Sequence, residues 1–274
     1  MTAAAMNAEL RRREPRQAAF GLGCAACAAL AFAAAAVDAR TFGGVRLWLK
    51  PAKFFVSIAV YALTWAWFAG YVRADRRDAR ALRVAVWTLI GTAAFELAYI
   101  TFQAARAEAS HFNGGDALHA ALYGLMGIAA VALIAAALPL ALAIARHPAP
   151  DVAPADRRAA VAGLVLCFLL GGLLGGYMSA QAGHAVGVEA GHLPVVGWNR
   201  AGGDLRVAHF LGLHVLQAAP LAVFAAGVLG VRRRGVALAA AAAAWGALTL
   251  ASFAQAVAGR PLVRSAAVPA TPRL

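Results

Sequence analysis

The sequence predicts an all-α, polytopic integral membrane protein, a bundle of about seven transmembrane helices. Three observations lead there. The chain has 274 residues, of which 62% are hydrophobic and only 14% charged, far more apolar than a soluble domain of that length. Its apolar stretches are each long enough to span a hydrocarbon core about 30 Å thick, which takes roughly 20 residues of helix. The connecting loops alternate in character: one set collects arginine clusters, the other holds His111, His184, His192 and both lysines.

The crossings fall at about residues 18–37, 54–72, 83–103, 117–145, 159–180, 205–230 and 236–257. No period-two alternation competes over these lengths, and inside lipid only helices or closed barrels satisfy the backbone. Residues 1–258 read as a single transmembrane helical domain. Residues 259–274, with Pro261, Pro269 and Pro272, read as a disordered tail.

The first crossing follows an arginine-rich start and ends on small residues near Ala36-Val37-Asp38, a pattern shared with signal peptides. Its apolar run from Gln17 is longer than a usual signal core, so a retained helix is expected, with cleavage left open. Cys24 and Cys27 have a C-x-x-C spacing, yet nothing nearby supplies the positive charge or helix start that a thiolate needs. Together with Cys167 they read as small packing residues.

The second crossing opens W-L-K-P-A-K-F, where Lys50 and Lys53 flank Pro51 and are the only lysines in the chain. Two ammonium groups in a chain that otherwise uses arginine fit an anionic headgroup or a carboxylate such as Glu96. They equally fit a pair snorkelling to the interface.

The third crossing carries Glu96 about seven residues, roughly 10 Å, below its end. Glu96, Tyr99, Gln103 and Arg106 share one helix face and are expected to wall a polar cavity. His111 follows in the loop. Asp116, after Gly-Gly and just before the fourth crossing, reads as a helix N-cap. Ser110, His111 and Asp116 on one short loop lack the geometry of a hydrolytic triad, and there is no G-x-S-x-G elbow.

The loop from Gln181 to Asp204 is long for a bundle connection. With His184, Glu189, His192, Pro194, Gly197 and Trp198 it reads as a structured cap over the bundle mouth, Trp198 anchoring it at the interface. Asp204 again follows Gly-Gly and reads as an N-cap. The echo between Gln103-Ala104 with Gly114-Gly115-Asp116 and Gln181-Ala182 with Gly202-Gly203-Asp204 is a weak internal repeat. On the sixth crossing Arg206, His209, His214 and Gln217 fit within an arc of about 140°. Two imidazoles at i, i+5 do not converge on one metal, so they would serve two sites or pair with histidines of another hairpin.

Arg11, Arg12, Arg13 and Arg16, the run Arg73 to Arg83, Arg146, Arg157, Arg158 and the triplet at Arg232 all fall in one set of loops. The positive-inside rule puts that set in the cytoplasm. The expectation is a cell inner (plasma) membrane protein with a cytoplasmic amino terminus and a periplasmic carboxyl end. The net charge of +13 then belongs to topology: the lipid bilayer is an expected partner, and nucleic acid is not.

The candidate site is a polar, His-rich pocket on the periplasmic side formed by Glu96, Gln103, Arg106, His111, His184, His209 and His214, with Lys53 and Arg206 available for anionic groups. Three readings stay open. The first is a membrane oxidoreductase holding haem b or a transition metal, the metal on His184, His209 and His214, with a redox or membrane-protein partner. The second is a transporter or binding protein for a small polar, anionic or lipid ligand. The third is a structural accessory subunit. Whether the protein is an enzyme is left open.

Overall fold

Among the described residues, seven helical segments are long and apolar enough to cross a membrane, and they run between two chemically different ends. The computed structural model describes residues 2–181 and 183–263. In chain order the elements are α1 (Ala3–Arg13), α2 (Pro15–Val37), the strands β1 (Thr41–Phe42) and β2 (Val45–Arg46), and α3 (Leu49–Ala69). After a short 3-10 turn come α4 (Arg80–Ala105), α5 (Ala117–Ala135), α6 (Ala137–Arg146) and α7 (Pro154–Ala180). The strands β3 (Ala185–Val186) and β4 (Gly203–Asp204) then precede α8 (Leu205–Val228) and α9 (Arg234–Val257). Leu30, Trp87, Ile128, Leu173 and Phe224 point outward, the apolar exterior a bilayer requires.

The first difference from expectation is α1, a polar helix not foreseen ahead of the first crossing. Thr2 caps it, and Arg12 and Arg13 pair with Glu9 at helical spacing. Arg13 lies 3.9 Å from the centre of the Trp67 ring and donates to the Trp67 carbonyl at 2.8 Å, docking α1 on α3. The second difference is that α3 starts at Leu49 rather than near residue 54. Pro51 sits in the first turn, where a missing N–H interrupts no helical bond, so both lysines stand on the helix itself.

The third difference is a break in the fourth crossing at Ala136, between α5 and α6. Pro139 has no N–H to offer the Ala135 carbonyl one turn earlier. Carbonyls near the break are met by donors from α3: Tyr61 Oη at 3.3 Å from Leu133 O, and Trp65 Nε1 at 3.4 Å from Ala136 O.

Both ends are tied across connections. At the arginine end Arg73 N donates to His147 O and Ala149 N to Tyr71 O, each at 2.8 Å, joining the α3–α4 and α6–α7 loops. The main apolar core lies toward this end, with Trp65, Leu89, Leu140, Ile144, Leu164 and Leu216 fully covered. At the lysine end the chain is held mostly by polar side chains. Trp48 Nε1 donates to Asp38 at 2.7 Å, and Arg40 reaches the Ala105 carbonyl at 3.3 Å. Past α9, Gln255 Nε2 donates to Pro261 O at 2.7 Å. The rest of the tail expected to be disordered, residues 264–274, lies outside the described residues.

Candidate binding site at the lysine end

The loop between α7 and α8 is a folded cap. His192 bridges to Asn199, Leu193 N donates to Trp198 O and Gly197 N to Leu193 O, closing a tight turn. The buried Asn199 side chain ties Val188, Ala190 and Ala201 together. Gly203 is required by close approach: a Cβ there would collide with the Ala256 carbonyl of α9. Two cations pin the cap to the bundle. Lys53 Nζ donates to Val196 O at 2.7 Å, and Arg206 Nη2 to Gly197 O at 2.7 Å.

Asp204 is the buried centre of this knot. It caps α8 by accepting from Arg206 N at 3.0 Å, holds the Arg206 guanidinium at 2.6 Å and accepts from Asn199 N at 2.8 Å. Burial works to raise its pKa, but the Arg206 and Asn199 donors outweigh that and leave it below the usual carboxylate value. Asp116 caps α5 in the same way, accepting from His119 N at 2.9 Å. Both N-cap readings hold.

A second group of polar side chains at this end lies within electrostatic range of one another. Lys50 is close enough to Glu96 and to His111 for their charges to interact, and His111 is likewise in range of His209. Lys50 makes no hydrogen bond or ion pair among the described residues. Glu96 is 6% exposed, and its Oε1 has no donor among the described residues. His209 packs on bare backbone: a Cβ at Gly175 would come within 2.9 Å of its Cε1, and its Nδ1 makes no hydrogen bond among the described residues. His111 touches Ser110 Oγ at 3.2 Å and lies among Phe54, Phe112 and Tyr123. Burial, then Lys50 and His209, push its imidazole from 6.5 down to about 3, so it stands neutral.

The other predicted residues are distributed around this cluster. Gln103 is buried next to it in sequence register on α4, its Nε2 donating to Ala109 O at 3.0 Å and its Oε1 without a donor among the described residues. Tyr99 is buried on the same face with its hydroxyl unpartnered among the described residues. Arg106 does not join them. It turns outward and pairs with Glu108 at 2.8 Å, because α4 ends at Ala105 and the chain leaves the helix there.

His184, His209 and His214 are not brought together. His184 bonds Glu189 at 3.1 Å, and its basicity is lowered by burial, then by Arg206. His214 faces away from His209 on α8 and bonds Gln217 at 3.1 Å. Among the described residues no group of three His, Cys, Asp or Glu side chains is placed to hold a metal ion. Asn199 and the Thr64–Gln217 contact had no sequence signal. A lone Asn in a loop and a Thr inside a crossing look like many others.

No protein-family model, characterised protein or solved structure matches the chain.

Proposed function

We propose that the protein is a membrane-embedded binding protein whose site, formed by Lys50, Glu96, His111 and His209, takes a small solute bearing an anionic group. The observation that carries this reading is Lys50, a half-buried ammonium with no hydrogen bond or ion pair among the described residues. An ammonium so placed is costly without a partner, and a bound carboxylate or phosphate supplies one. Glu96 and the two imidazoles offer a hydrogen-bond donor or acceptor to the remainder of the solute, according to protonation. The packed core toward the arginine end argues for a site open to one side rather than a conducting path.

The arginine clusters favour the cytoplasm for their end, which would turn the site toward the periplasm of a cell inner membrane. Among the described residues His184, His209 and His214 are not placed to hold one ion, since His184 and His214 engage Glu189 and Gln217.

The test uses the full chain in lipid nanodiscs, with thermal unfolding followed while phosphate, sulfate, acetate, succinate or glutamate is titrated. At least one anion stabilises the wild type, by about 2.7 kcal/mol when present at 100 times its Kd. Lys50→Met abolishes the shift and Glu96→Gln alters which anion is preferred. The reading fails if no anion shifts the transition, or if the shift survives in Lys50→Met. A Soret band or stoichiometric transition metal in the purified protein would move the conclusion to a haem or metal oxidoreductase.

A further inference from the structure

On the other side of α8 lies a polar group that the Lys50 cluster does not use. α3 and α8 are fastened to each other's neighbourhood at two levels. Near the lysine end the cap carries the link, through Lys53 to Val196 O and Arg206 to Gly197 O, both 2.7 Å. Deeper in the bundle, Gln217 Nε2 donates to Thr64 Oγ1 at 3.1 Å. The anchor residues are eleven positions apart on each helix, Lys53 to Thr64 and Arg206 to Gln217, a rise of roughly 16 Å on both. Between these levels the two helices make scarcely any close backbone approach. What remains is a window with α3 and α8 as its sides, the cap above and the Gln217–Thr64 bond below.

Helical register puts Ser57 and Val60 on the same face of α3 as Lys53 and Thr64, and Phe210 and His214 on the window side of α8. Val60 and Phe210 are exposed at 37% and 45%, and His214 and Ser57 are half-buried, so the window opens toward lipid. Trp198 of the cap stacks edge-on over Phe210 at 5.8 Å, closing the top with an aromatic surface.

The hydrogen bonds fix which nitrogen of His214 carries the proton. Thr64 Oγ1 donates to the Val60 carbonyl at 2.7 Å, so toward Gln217 it can only accept. Gln217 therefore presents its amide nitrogen to Thr64 and its carbonyl oxygen to His214 Nδ1, at 3.1 Å. A carbonyl cannot donate, so Nδ1 bears the hydrogen and Nε2 of the neutral ring is left as a lone-pair acceptor. In a window facing hydrocarbon, water is absent and that acceptor calls for a donor. Ser57, which makes no hydrogen bond among the described residues, is a second polar contact on the opposite wall.

We infer that this window is a lateral binding site for a membrane-dissolved ligand with an apolar tail and a hydroxyl head, the hydroxyl donating to His214 Nε2. A quinol and a long-chain or polycyclic alcohol share that chemistry. The site rests on residues separate from the Lys50 cluster, so either assignment can fail alone.

The experiment measures ligand retained by nanodisc-embedded full chain over empty discs, by mass spectrometry, across a range of ligand-to-lipid ratios. Three probes carry the same decyl tail: a benzoquinol, the matching benzoquinone, and decanol. The quinol binds, and the quinone, which has no donor, binds about tenfold more weakly. Decanol matching the quinol upholds the hydroxyl-head assignment and points to an aliphatic lipid as the source. Decanol failing where the quinol binds points to the quinol. His214→Phe, which removes the acceptor, lowers quinol retention about tenfold. Val60→Trp, at an exposed position outside the core, blocks the window and lowers it at least as far without disturbing the fold. Equal retention of quinol and quinone, or retention unchanged in either variant, overturns the proposal.

Discussion

The ammonium of Lys53 on α3 donates to the carbonyl of Val196 at 2.7 Å, fastening the cap to a helix 143 positions earlier in the chain. Nothing else from α3 is bonded to the turn at Val195–Trp198 among the described residues, so this side chain is the link of that turn to α3, as Arg206 is its link to α8.

Lys53→Met removes the donor and keeps the apolar stem. A charged hydrogen bond of this kind contributes about 1.5–3 kcal/mol. Amide exchange over residues 192–200 should accelerate roughly tenfold or more, while exchange in the core of α4 stays unchanged. Cap exchange identical to wild type would mean that Arg206 holds the turn unaided.

Asp204→Asn leaves a partial helix cap but strips Arg206 of its counter-charge. Because Asp204 is only 2% exposed, the loss is that of a buried pair, on the order of 3 kcal/mol, and is seen as a lower unfolding temperature. Arg206→Met alone is costly too, since it leaves the carboxylate buried. The double variant should recover part of the stability, which an additive pair of contacts would not show.

His111 sets a pH dependence. The folded protein keeps this imidazole neutral down to about 3, whereas an unfolded chain takes up the proton near 6.5. Its contribution to stability is therefore full above pH 6.5 and is lost progressively as pH falls toward 3, at no more than about 1.4 kcal/mol per pH unit. His184 is shifted in the same direction and adds to the slope; Asp204 acts only lower, in the carboxylate range. Unfolding temperatures from pH 7.5 to 4.5 should fall for the wild type, and His111→Gln should flatten the curve. An unchanged slope in that variant would remove His111 from the account.

Tyr61→Phe deprives the Leu133 carbonyl of its side-chain donor beside the α5–α6 break, at a cost of about 1–3 kcal/mol. Pro139→Ala restores the missing N–H and lets the helix run through Ala136. If the carbonyl is what Tyr61 serves, Tyr61→Phe should cost less in the Pro139→Ala background. Equal costs in both backgrounds, measured by chemical unfolding, would assign Tyr61 to packing alone.

The crossings were legible because a bilayer imposes one length and one composition, and residues 18–37, 205–230 and 236–257 come within a few positions of α2, α8 and α9. The two caps were legible for a related reason: Gly-Gly-Asp before an apolar run is a local signal. The interruption at Ala136 was not read although Pro139 was in plain view, since membrane helices often accommodate proline, as α8 does at Pro220. Helix α1 was missed because its polarity hides a helix held by Arg–Glu pairs and by docking onto Trp67. For the site, residue type and depth point to Glu96, His111 and His209, and Lys50 lies within electrostatic range of Glu96 and His111. Arg106 departs because α4 ends just before it, whereas the grouping of three histidines fails for a longer-range reason. Helical register tells which residues share a face, but which face meets which neighbour is decided by packing between helices far apart in sequence.

The backbone clamp between Tyr71 or Arg73 and the stretch His147–Ala149 has a mechanical meaning. It welds two hairpins at one pole of the molecule, where the greasy interior is also densest. The opposite pole is laced by long, swinging side chains. Any opening of the bundle would then hinge at the welded pole and spread at the laced one, and a solute of the proposed Lys50 site would enter where Lys53 and Arg206 let go.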